Sequence, residues 1–161
     1  MAQLIVIDGY NVIHQIHEYM ALLDTGLEAA REKLIHDLTT YRSQRHVNIV
    51  LVFDGIADVL NHHGKDRIKG IEIIYSKAPM KADPVIKKKI STRNKRMQTV
   101  VVTNDGDIRK FSKDAGAIVL SPQEFYLRLT NNRTDLGIEG KFQGNMTPEE
   151  LDEWKKLFGI D

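Results

Sequence analysis

Five short apolar runs punctuate the chain: LIVID (4–8), NIVLVFD (48–54), IEIIYS (71–76), TVVVTND (99–105) and AIVLS (117–121). The first, second and fourth are almost continuous in Ile, Val, Leu and Phe. That pattern suits strands covered on both faces, as in a parallel sheet. IEIIY alternates more and is expected nearer an edge.

Helical patterns fall between the runs. Residues 27–43 place Leu27, Ala30, Leu34, Leu38 and Tyr41 on one stripe. Residues 83–95 open with Asp83 as an expected N-cap and Pro84 at the first helical position. Residues 106–116 carry Ile108, Phe111 and Ala115 on one side and stop at Gly116, and 121–131 begin with the capping-box spacing of Ser121 and Glu124. The order is largely strand–helix–strand, with one short connection between the second and third strands. It predicts an α/β sandwich around a central, mostly parallel five-stranded sheet.

Residues 1–130 are expected to form one domain. Residues 131–146 have weak periodicity and several glycines, and read as a linker or surface excursion. Helix then restarts over 147–161, with Thr147 and Glu150 as a second capping box and Leu151, Trp154, Leu157 and Phe158 as an apolar stripe. A C-terminal helix docked on the domain is the expectation; a partner-binding helix is the sharper alternative.

A length of 161 residues suits a single domain with a real core. No run is long and apolar enough to span a bilayer, and the start does not read as a signal peptide, so a cytoplasmic location with no membrane partner is expected. The absence of cysteine excludes disulfides, thiolate catalysis and cysteine-held zinc. A formal charge of +1 means that global charge does not announce a nucleic-acid binder, so local clustering must carry that case.

Three of the buried-type runs end in an acid: Asp8, Asp54 and Asp105, with Asp107 two residues on. In a parallel sheet the carboxyl ends of the strands share one edge, where ligands bind. Clustered carboxylates repel one another, and a hard divalent cation is the usual compensation. An acid-rich pocket without cysteine suits Mg²⁺ or Mn²⁺ better than zinc. Each acid also has an ordinary alternative, as a turn residue or a helix cap; it is the same placement on three strands that points to a metal.

The segments IDGYNVIH, VFDG, KADPVI and VVTNDGD resemble, in this order, the motifs of the PIN-like nuclease superfamily, and among these the YacP-like NYN group. The resemblance covers about residues 3–130. It implies a Rossmann-like, PIN-type α/β/α sandwich with a divalent-metal site for phosphodiester hydrolysis, usually of RNA and expected to be endonucleolytic. By motif it assigns Asp8, Asn11, Asp54, Asp83, Asp105 and Asp107 to the site. Asp8 and Asp105 would hold the metal directly, with Asp54, Asp83 and Asp107 completing its shell or a second one. Asn11 would position a water or a phosphate, or fix the Asp8 rotamer.

Phosphate contacts are expected from the basic stretch around Asp83, chiefly Lys81, Lys87, Lys88 and Arg93, and from Arg109. Tyr10 is a candidate for stacking on a base, against ordinary packing. The histidines, His14 included, show no ligand spacing. RNA is the expected partner, with the ribosome as a candidate carrier of it. The haloacid-dehalogenase alternative needs an acid where Tyr10 stands, and a nucleotide-binding Rossmann domain needs a glycine-rich loop that Gly9 alone does not supply. A non-catalytic RNA-binding module on the same fold is the alternative from another class.

Overall fold

The computed structural model describes residues 3–54, 65–76 and 82–135, with the backbone alone for 65, 66 and 132–135. The elements run β1 (Gln3–Asp8), α1 (Gly9–Gln15), α2 (His17–Met20), a 3₁₀ turn (Ala21–Asp24), α3 (Leu27–Ser43), β2 (Val47–Asp54), β3 (Lys65–Ile68), β4 (Ile71–Ser76), α4 (Ala82–Ser91), β5 (Gln98–Val102), α5 (Gly106–Asp114), β6 (Ile118–Leu120) and α6 (Pro122–Asp135). Among the described residues the sheet has six strands in the order β3-β4-β2-β1-β5-β6. All pairs are parallel except β3 with β4.

The five-stranded expectation is therefore one strand short. β3 was not legible because KDRI is a brief polar edge strand. It forms a hairpin with β4 through Lys69 and Gly70, whose φ values of 50° and 87° are both positive. Such two-residue turns match the twist of the flanking strands.

Strand alternation builds two cores. Ile5, Ile7, Ile49, Leu51, Phe53, Val100 and Val102 face a layer holding Leu34 and Leu38 of α3 and Phe125 of α6. Val6, Val50, Val52 and Val101 face Ile86 and Ile90 of α4 and Ile108 of α5. With both faces covered, the strands need no polar side, which is why their sequences run nearly unbroken in apolar residues.

Several boundaries differ from those the sequence predicts. α4 begins at Ala82, so Asp83 lies inside the first turn rather than capping it. Pro84 is tolerated there because the first-turn N–H groups have no intrahelical partner anyway. The helix closes at Ser91, not Lys95, where the Ser91 and Thr92 hydroxyls bond back to the carbonyls of Lys87 and Lys88 at 2.9 and 2.8 Å. β5 stops at Val102, so Thr103–Asp105 form a short loop and not a strand end. α6 opens with the expected reciprocal capping box, Ser121 with Glu124 at 3.1 Å each way, and continues to Asp135, past residue 131. The rest of the expected linker and the C-terminal helix lie outside the described residues. Among the described residues, no helix is long and apolar enough to cross a membrane.

Candidate active site

The chain places β2, then β4 and β3, on one side of β1, and then crosses to put β5 on the other side. The strand order thus reverses between β1 and β5, and the crevice beyond their carboxyl ends is the place where open α/β sheets bind ligands. Asp8 ends β1 on one side of it, and the Thr103–Asp105 loop leaves β5 on the other. Alternation turns Asp8 and Asp54 to the same face as Val6 and Val52, toward α4 and α5. A pocket of about 300 Å³ results, lined by Asp8, Tyr10, Asn11, His14, Asp54, Ala82, Asp83, Asp105 and Ile108.

Asp8 stands at the N-cap position of α1 but makes no cap bond. Its Oδ2 instead accepts the Thr103 hydroxyl at 3.0 Å. Burial is the main cause that pushes its carboxyl up from 3.8 to about 6; the Thr103 bond pulls it down, and the charges of Asp105, Asp54 and Asp83 push it up further. Asp105, by contrast, does cap its helix: Oδ1 accepts the Ile108 N–H at 3.0 Å. Capping fixes its rotamer and leaves its second oxygen for the crevice.

Carboxylate oxygens of Asp83, Asp105 and Asp107 lie within 4.8 Å of one another, the tightest acidic group among the described residues. Asp8 and Asp54 line the same pocket but stand outside that group. The Asp8–Asp105 pair expected to lead the coordination is thus joined to Asp83 and Asp107 through Asp105. Asp54 is steadied by Ser76, whose hydroxyl reaches its Oδ1 at 3.2 Å. These hard oxygen donors, with an acid raised chiefly by burial and further by its neighbours' charges, fit a divalent cation.

Asn11 does not fix the Asp8 rotamer; Thr103 does. The Asn11 carbonyl oxygen accepts the Asn104 N–H at 2.8 Å and so pins the β5–α5 loop to α1. Its amide N–H donors have no partner among the described residues.

The basic residues divide. Lys87 pairs with Asp83 at 3.1 Å and lies 5.6 Å over the Phe111 ring, at the pocket end of α4. Lys88 is exposed. Arg93 faces away from the acids, near the opposite sheet edge: it donates to the carbonyls of Ile90 and Ala115 at 2.6 Å each and lines a different pocket, beside the Lys89–Glu72 ion pair. Arg109 spends a guanidinium N–H on the Thr103 carbonyl at 2.9 Å, bracing the loop. Lys81 lies outside the described residues.

Two side chains that bond to pocket-lining residues went unassigned from sequence. Thr103 belongs to the VVTNDGD motif, where a hydroxyl two residues before an acid is placed to bond that acid's N–H. Arg31 sits on the inward stripe of α3 between Leu27 and Leu34, and a charge on an apolar stripe was the available signal.

A mostly parallel α/β/α sandwich with carboxylates gathered at its switch point has the architecture of the PIN-like nucleases. A family model described as the YacP-like NYN domain matches residues 5–157, and the chain belongs to that family. The match reaches well past residue 130 into the C-terminal segment. Two crystal structures of Rae1 (YacP) from Bacillus subtilis share the fold, each at 23% identity. The W164L mutant superposes with a TM-score of 0.71, covering 96% of this chain and 92% of that one, and the other Rae1 structure gives 0.68, covering 98% and 88%. No curated protein sequence matches the chain.

Proposed function

We propose that the protein is a divalent-metal-dependent ribonuclease that cuts RNA phosphodiester bonds internally. The observation that carries this reading is the convergence of Asp8, Asp54, Asp83 and Asp105, from four separate segments, on one pocket at the sheet's switch point. Membership of a nuclease-type family supports it.

Asp83, Asp105 and Asp107 would hold Mg²⁺ or Mn²⁺, with Asp8 and Asp54 on the pocket side. When bound, the cation supplies Lewis acidity toward the scissile phosphate and acidifies water. Asp8 loses its proton around pH 6, and so meets the cation as a carboxylate at neutral pH. Asn11 offers amide N–H donors to a phosphate oxygen. Lys87 and Lys88, on the turn after Asp83, give the RNA backbone positive charge that does not discriminate sequence.

The test is cleavage of end-labelled RNA with Mg²⁺ or Mn²⁺, comparing wild type with Asp8→Asn. Cleavage by the wild type and its loss in the variant are expected. Undiminished cleavage in Asp8→Asn sinks the site. RNA binding by the wild type without any cleavage makes the protein a binding module.

A further inference from the structure

The sheet face under α4 is apolar in the middle and polar at both ends. On that face β1 reads Leu4, Val6, Asp8, β2 reads Asn48, Val50, Val52, Asp54, and β4 reads Glu72, Ile74, Ser76. Ile86 and Ile90 of α4 cover the middle. The carboxyl ends carry the acid pocket. The amino ends open into a second pocket of about 330 Å³, lined in part by Asn48, Arg67, Glu72, Lys89, Thr92 and Arg93.

The charge there is of the opposite sign. Among the described residues three cations line the pocket against one acid. Lys89 Nζ donates to both oxygens of Glu72, at 3.0 and 3.1 Å, so that acid is already matched. Arg67 stands directly across the β3–β4 ladder from the same glutamate. Arg93 is held by the carbonyls of Ile90 and Ala115, and a carbonyl orients a guanidinium without cancelling its charge. Arg42 of α3 adds a cation behind the wall: a Cβ on Gly70, which borders the pocket, would stand 2.5 Å from its Cζ. An excess of positive charge remains.

The lining suits the phosphate of a nucleic-acid backbone. It offers no aromatic ring to a base among the described residues. α4 presents its carboxyl end here, so the pull on an anion comes from side chains and not from a helix N-terminus. The same helix leads to the acid pocket. Asp83 lies in its first turn and Lys89 in its last, and its 10 residues span about 15 Å. Lys88 is exposed between the two pockets, one turn before Thr92 on the same helix row.

We propose that this second pocket binds a backbone phosphate of the RNA whose scissile linkage lies at the acids, several nucleotides along the same strand. The contact works through charge and reads no sequence. It rests on the ribonuclease reading for its ligand and gives the RNA a holding point remote from the chemistry.

Asn48 is the probe, because it is exposed and its side chain has no hydrogen-bond partner among the described residues. Full-length Asp8→Asn protein, which retains substrate, is titrated with a labelled RNA oligonucleotide long enough to reach both pockets. Adding Asn48→Asp should weaken binding several-fold, and adding Asn48→Lys should tighten it, whatever the RNA sequence. Such a reversal of sign is not what a damaged fold produces. Arg67→Gln should reduce the slope of log affinity against log salt by about 0.7–1. His36→Asp, an added negative charge on the exposed side of α3 across the sheet, should change affinity little.

Equal weakening by His36→Asp and Asn48→Asp would overturn the proposal, since net charge alone would then account for both. Inorganic phosphate is the competing occupant, followed by the NMR signal of the Asn48 side-chain amide. Saturation by phosphate, with RNA affinity indifferent to the Asn48 and Arg67 substitutions, would overturn the RNA contact in favour of a small-anion site. RNA cleavage by the wild type together with that indifference would sink the second pocket and leave the ribonuclease reading intact. The opposite Asn48 effects in a protein whose wild type cuts nothing would remove the ribonuclease reading and keep the phosphate site.

Discussion

Thr103 and Asp8, ninety-five positions apart in the chain, are joined by a hydrogen bond: the threonine hydroxyl donates to Asp8 Oδ2 at 3.0 Å. The same hydroxyl accepts the Asp105 N–H at 3.0 Å. One fully buried side chain thus sets the spacing of the two acids that flank the switch point.

Replacing Thr103 by Val keeps the shape and removes both bonds. The Asp105 N–H is left without its acceptor, and Asp8 loses the one bond that lowers its pKa. A loss of about 1–2 kcal/mol in stability is expected from denaturant unfolding. The Asp8 carboxyl, followed by NMR titration, should move above about 6, and Thr103→Ser should restore much of both.

Without metal, Asp8 makes stability fall as pH rises. The folded state holds the Asp8 proton up to about pH 6, whereas the unfolded chain releases it near 3.8. Between those values the folded state binds more protons, so its stability declines with pH, by up to about 3 kcal/mol from this group. Thermal unfolding of the metal-free protein should show a higher midpoint at pH 4.5 than at pH 7; the difference should shrink in Asp8→Asn by the contribution of this group.

Neutralising an acid should therefore separate stability from activity. Asp8→Asn and Asp105→Asn are each expected to raise the metal-free melting midpoint by a few degrees. Asn still caps α5 at position 105. Both should lower RNA cleavage by orders of magnitude in a fixed-time assay with Mn²⁺.

Adding Mn²⁺ to the wild type should reverse the acid strain. At a hundredfold excess over its dissociation constant, stabilisation of about 2.7 kcal/mol is expected. The shift should be larger at pH 7.5 than at pH 5, because bound metal competes with the Asp8 proton. Asp83→Asn and Asp105→Asn should each shrink it, since both belong to the tight acidic group.

Two glycines predict opposite outcomes. A Cβ on Gly9 would sit 2.5 Å from Phe53 ring carbons and 2.9 Å from the Val52 carbonyl. Gly9→Ala should cost about 3 kcal/mol in denaturant unfolding. A Cβ on Gly106 meets nothing within 4 Å, so Gly106→Ala should be neutral or stabilise by about 0.5 kcal/mol.

The convergence of Asp8, Asp54 and Asp105 was legible because parallel strands put all their ends on one edge, and an acid closing an apolar run is visible in sequence. α1 was not legible: Asp8-Gly9 looks like a turn, yet the helix starts at Gly9 with no loop, and Gly9 packs closer to Phe53 than a Cβ would allow. β3 escaped because an edge strand of four residues carries little apolar signal. The basic stretch around Asp83 read as one patch, but helical geometry splits it. Lys87 stays at the acids, whereas Arg93, beyond the end of α4, closes carbonyls near the other sheet edge. The same geometry hid Asp37, which sits on the α3 stripe, 3% exposed, bonded by the Tyr19 hydroxyl at 2.7 Å and Lys33 at 3.1 Å.

The position of β1, between β2 and β5, also sets an order in time. Its partner Val102 lies far downstream of Ile7, so the central strand cannot be walled on both sides until β5 has been made. Pairings so distant form late and slowly. A nascent chain that has emerged only as far as α4 carries Asp8, Asp54 and Asp83 but has neither Thr103 to orient the first nor Asp105 to complete the group. The pocket thus comes into being with β5, and no shorter nascent chain can hold it.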